Sequence, residues 1–238
     1  MKIVRNKRKF WIGLNGLILF SVILGLWLRP WGTHRSGLEW ADHLFNRLAK
    51  NSTYFIPEAV ELARKFEGAG VDFGVHSRWP GTDERMVQVI RASGSSAVLL
   101  GDGRVRINGD LGRLGHAASA DAEWLFKGQD RNLRAKYGMD GREAIYYWWL
   151  AFDGLTRRFI QENRSAEADF TRWMTGRVLE PAYNFAGIET GSFGENVWTV
   201  AFLLGSYLIY TLLYGFSILF LFEGLGIEAT KSKERKET

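Results

Sequence analysis

Two stretches without a charged side chain constrain this chain more than any other feature. Residues 10–28, FWIGLNGLILFSVILGLWL, have only Asn15 and Ser21 as polar interruptions, and residues 197–222, VWTVAFLLGSYLIYTLLYGFSILFLF, are also uncharged. A helix that crosses a hydrocarbon core about 30 Å thick needs about 20 apolar residues. Both stretches pass that test, and the second has length to spare for tilt. They are expected to be transmembrane helices.

Basic residues set the expected orientation. Lys2, Arg5, Lys7, Arg8 and Lys9 precede the first stretch, and Lys231, Lys233, Arg235 and Lys236 follow the second. Positive flanks stay cytoplasmic. The expected organisation is a basic cytoplasmic tail (residues 1–9), a first span (10–28), an extracytoplasmic domain (29–196), a second span (197–222) and a charged cytoplasmic tail (223–238). Trp11, Trp27, Trp31 and Trp198 fall where indole rings meet lipid headgroups. The run LWLRPWGTHR has no small-x-small cleavage site, so the first span reads as an uncleaved anchor. These features suit a two-pass protein of a bacterial inner (plasma) membrane with a periplasmic domain.

The net charge of +5 belongs to this topology. Between residues 30 and 196, 21 basic residues face 22 acidic ones. That balance lacks the basic face of a nucleic-acid binder, so the partners expected are the lipid bilayer and other membrane proteins or further copies of the chain. The chain has no cysteine, so the domain must hold together by packing alone, which its length allows.

The fold class expected is mainly α (α+β): two transmembrane helices flanking a mostly helical extracytoplasmic domain with a small β-hairpin. Helical spacing runs through residues 36–51, from Pro57 to Gly68 or Gly70, and from Thr82 to Ile90. VDFGVH, residues 71–76, alternates as a strand. Residues 96–109 form a hairpin pattern around Gly101, Asp102 and Gly103. The helical pattern resumes over residues 117–136. A further helix follows Asp140 and Glu143, a capping arrangement, and continues to about Asn163. A last one begins at Ser165 and is expected to stop at Pro181.

DGREAIYYWWLAFDGL, residues 140–155, places Tyr146, Tyr147, Trp148 and Trp149 side by side. Nine uncharged residues cannot span a bilayer. Ile145, Trp148, Trp149, Phe152, Leu155 and Phe159 share a helical face that suits a core, and Tyr146 and Tyr147 cannot both lie on it. The tyrosines are therefore candidate contacts for a protein partner, because exposed rings serve that role well. In the second span Gly205, Ser206 and Tyr210 are partner-contact candidates, since small and hydroxyl-bearing residues favour close helix packing in lipid.

Catalytic chemistry has no recognisable signature. His34, His43, His76 and His116 stand in no metal-ligand spacing, and no metal or cofactor site is expected. His76 lies in the charged stretch HSRWPGTDER, the one place where acid–base chemistry could gather. GDGRVRINGDLG has Arg104 and Arg106 where a calcium loop needs oxygen ligands. The leading reading is a structural or assembly subunit of a larger envelope membrane complex. An envelope sensor or ligand-binding protein signalling through a partner is the alternative, and an envelope enzyme acting on glycan or lipid is a third.

Overall fold

The computed structural model describes residues 4–31, 35–76 and 83–227. Its elements are α1 (Lys7–Leu28), β1 (Pro30–Trp31), β2 (Arg35–Ser36), α2 (Gly37–Ser52), α3 (Ile56–Arg64), β3 (Gly70–His76), α4 (Asp83–Ala92), β4 (Ser96–Leu99), β5 (Arg104–Asp110), α5 (Leu111–Phe126), α6 (Asp130–Tyr137), α7 (Gly141–Gln161), α8 (Ser165–Met174), a π-helical turn (Thr175–Leu179), α9 (Glu180–Asn184) and α10 (Phe193–Leu225). The chain divides into two units, Met1–Phe45 with Gly191–Thr238, and Asn46–Thr190. The structure is mainly helical, with a short β1–β2 pair and a small three-stranded antiparallel sheet, which agrees with the mainly helical part of the expected class.

In the first unit α1 and α10 pair antiparallel, and both are long and apolar enough to cross a membrane. Their backbones touch because the contact residues are small. A methyl group added to Gly13 would lie 2.4 Å from the Leu221 nitrogen, and one on Gly224 would lie 2.5 Å from the Phe10 nitrogen. Farther along, Phe20 stacks on Tyr210 with centroids 4.2 Å apart. Lys9 pairs with Glu223 at 2.8 Å. The seam follows Gly13 and Phe20 on α1, and Tyr210, Ser217 and Gly224 on α10. Seven-residue spacing is what keeps one helix stripe facing its neighbour. Gly205 lies off that stripe, and a methyl group there would meet nothing within 4 Å.

The second unit is organised around α7. Twelve of its 21 residues are buried, among them Tyr147, Trp148, Phe152, Leu155 and Phe159. A helix apolar on so much of its circumference needs neighbours on several sides, and α4, α5, α6, α8, α9 and β3 supply them. Asp140 caps it by accepting from the Arg142 N–H at 3.0 Å. Where α7 crosses the sheet, a side chain at Gly154 would come within 2.7 Å of Val75 Cβ. The sheet order is β3-β5-β4. Val71, Val75, Val105, Ile107 and Ala97 point to the core, while Arg106 forks Asp72 across β5 and β3 on the outer face, both contacts being 2.7 Å. The strand read at residues 71–76 is thus the third member of the hairpin's sheet.

The helix read to Gly68 or Gly70 ends at Arg64, and three further boundaries differ from the sequence reading. First, α5 begins at Leu111, because the Asp110 side chain accepts from the Arg113 N–H at 2.8 Å and caps the helix directly at the strand end. Second, the pattern over residues 117–136 is two helices, interrupted where Gly128 takes φ 74°. Third, Pro181 does not end the last helix. It lies in the first turn of α9, preceded by the π turn. Proline has no N–H, and its ring crowds the carbonyl four residues back. A widened turn at that place lets the helix continue to Asn184.

A buried carboxylate ties three helices together. Asp121 on α5 is inaccessible to solvent. It accepts from Trp148 Nε1 on α7 at 2.8 Å, from the Tyr137 hydroxyl on α6 and from Lys136 Nζ at 2.8 Å. Burial first, and the Asp121 charge second, push the Tyr137 phenol far above its ordinary range.

Trp148→Ala should therefore cost about 3–5 kcal/mol of stability, as a buried large aromatic does, measured by denaturant unfolding. Trp149→Ala, at a half-buried ring, should cost less. The Tyr137 hydroxyl adds a pH dependence. Its folded pKa is raised, so its contribution is complete below the unfolded value near 10 and declines as pH rises above it. The stability advantage of the natural protein over Tyr137→Phe should shrink above that pH. An advantage that stays constant would count against this coupling.

Candidate functional site

The aromatic run on α7 divides according to helical phase. Trp148 turns inward to Asp121. Tyr147 also turns inward: it is only 6% exposed, and its hydroxyl contacts Glu143 Oε1 at 3.1 Å. Burial, followed by Glu143, raises its phenol pKa. Tyr147 therefore has little ring surface to offer a partner. Tyr146 and Trp149 lie on the other side, half-buried, with rings 5° from parallel and centroids 6.5 Å apart.

Opposite them runs the chain after the π turn. Leu179, Glu180, Tyr183 and Asn184 join Ile145, Tyr146 and Trp149 around a groove of about 290 Å³. Trp149 Nε1 donates to Glu180 Oε1 at 2.9 Å, which fixes the indole and the carboxylate against each other. Tyr183 is exposed, and the Arg142 guanidinium sits 5.9 Å from its ring centre while donating to the Ala186 carbonyl at 2.9 Å. The groove thus presents three aromatic rings and one carboxylate. Such a set can hold a cation or a planar group. It has no nucleophile–base pair.

Of the sequence candidates, the structure places only Tyr146 in this groove. Gly205 lies on an open side of α10. Ser206 lines a separate apolar groove of about 560 Å³ in the first unit, with Ile23, Trp27, Leu38, Phe45 and Leu213. Tyr210 is occupied within the chain: besides stacking on Phe20, its hydroxyl reaches the Phe20 carbonyl at 3.4 Å. Sequence reasoning missed Glu180, Tyr183 and Asn184. Their i, i+3, i+4 spacing is a helical face, but a helix assumed to end at Pro181 hides it.

Among the described residues the histidines do not converge. His116 meets Glu67 at 3.1 Å on the surface. His76 is exposed at the end of β3, and Arg78, like the rest of residues 77–82, lies outside the described residues, as does His34. Among the described residues, no three His, Cys, Asp or Glu side chains gather as a metal would need. Lys50 on α2 is 3% exposed; it donates to the Ile188 carbonyl and lies 4.8 Å from the Phe126 ring centre. Burial lowers its pKa. These contacts tie the two ends of the second unit together. No family model, curated protein or solved structure matches the chain.

Proposed function

We propose that this chain is a membrane-anchored structural or assembly subunit of a larger envelope complex. In this reading α1 and α10 are the two spans, both termini are cytoplasmic, and the unit Asn46–Thr190 is extracytoplasmic. The observation that carries it is the outward surface of α10. Trp198 is 85% exposed, and Phe202, Tyr207 and Ile209 are each 70% exposed. An apolar surface this extensive calls for lipid or another apolar helix. Gly205 sits within it with open space above its Cα, as close helix contact requires. The antiparallel pairing agrees with termini on one side, and the unbalanced basic tail agrees with that side being cytoplasmic.

The topology is tested by reporter fusions after Arg35 and after Lys233, which should report opposite sides of the membrane. Matching signals from the two positions would reject the two-pass arrangement. The subunit role is tested in native membranes. The chain should migrate in an assembly larger than itself after mild detergent extraction, and Gly205→Leu should reduce that assembly while leaving the amount of inserted chain unchanged. A monomer under those conditions, or no effect of Gly205→Leu together with full cellular function, would remove the proposal.

A further inference from the structure

Three aromatic rings and one carboxylate border a space that a single side chain would fill. We propose that the groove between α7 and α9 receives the guanidinium of an arginine on a partner protein. The inference rests on the subunit reading in one respect, that the arginine belongs to another polypeptide.

Size comes first. At about 290 Å³ the groove lies at the small end of ligand sites, which run from about 300 to 1,000 Å³. It suits one anchoring side chain. Charge decides which. The faces of Tyr146 and Trp149 carry the negative part of their ring quadrupoles and attract cations, as Tyr183 already does with Arg142. Glu180 adds a full negative charge. Its Oε1 takes the Trp149 N–H, and its other oxygen has no partner among the described residues. Arg142 does not neutralise it, being held on the Ala186 carbonyl beside Tyr183.

Shape then separates arginine from lysine. A guanidinium is planar, stacks on aromatic rings and directs N–H groups at a carboxylate in its own plane. An ammonium is compact and strongly hydrated. The near-parallel Tyr146 and Trp149 rings, with Glu180 hydrogen-bonded to the indole edge, match the planar group.

The test uses the full chain in maltoside micelles, titrated with acetyl-Gly-Arg-Gly-amide and observed by saturation-transfer NMR from the protein aromatics. The arginine peptide should show transfer to its side-chain methylenes, and its neutral citrulline analogue should bind about tenfold more weakly or less. Glu180→Gln keeps an acceptor for Trp149 Nε1, so it should leave the melting temperature unchanged while weakening the arginine peptide by about tenfold. The proposal is overturned if no transfer is seen, if citrulline binds equally, if Glu180→Gln has no effect, or if the lysine peptide or tetramethylammonium binds more tightly than arginine. The subunit reading fails separately. Arginine binding in a chain that is monomeric in native membranes would retain the groove and reject the subunit. An intact assembly with no arginine binding would do the reverse.

Discussion

Asp121 is the constraint on which the second unit depends. A carboxylate removed from water is costly unless it is paired and hydrogen-bonded. Here a lysine ammonium, a phenol and an indole N–H meet that demand, and they come from α6 and α7 while the acid comes from α5. Each donor is placed only when its helix is placed. The break at Gly128 is what allows α6 to turn back and bring Lys136 and Tyr137 to the acid. Lys136 further lies over the Trp124 and Tyr137 rings, 5.7 Å and 4.8 Å from their centres. The apolar core around Trp148 supplies cohesion. The polar knot selects one mutual arrangement of three helices from the many that would bury the same rings.

The groove follows from that arrangement. With Trp148 committed to Asp121, Tyr147 and Trp149 lie on either side of it, and packing buries Tyr147 while Trp149, with Tyr146, borders the chain of α9. The π turn before Pro181 brings Glu180, Tyr183 and Asn184 to the same place. Widened turns of this kind recur at functional sites, and here the physical reason is a proline inside a continuing helix. The carboxylate that orients Trp149 is set by the residue immediately before that proline.

The helix pair of the first unit follows a different rule. Its interior has no buried ion and little polar chemistry. Close backbone approach at Gly13, Gly16 and Gly224 is the organising contact, with Ser217 opposite the first two. In lipid, where apolar surface gains nothing by meeting other apolar surface, such packing is the main source of helix association. The seven-residue seam uses one stripe of α10 and leaves Gly205 on another, where an added Cβ would meet nothing within 4 Å.

Much of this was legible in the sequence because it depends on local periodicity. Uncharged length marks the two long apolar helices, alternation marks residues 71–76, and Gly101 and Gly103 mark the hairpin turn. The aromatic run reads as a core helix, since Ile145, Trp148, Phe152, Leu155 and Phe159 share one buried face, whereas Trp149, assigned to that face by the same spacing, is only half-buried. What the sequence by itself determined is therefore which segments are helix or strand and which stripe of each is apolar. Only the tertiary structure decided which tyrosine of the adjacent pair is buried, which small residues of α10 touch α1, and that Asp121 meets three donors from two other helices. Those facts depend on the relative rotation of helices distant in sequence. Rotation is set by packing and by satisfying a buried charge, neither of which leaves a periodic trace along one chain segment.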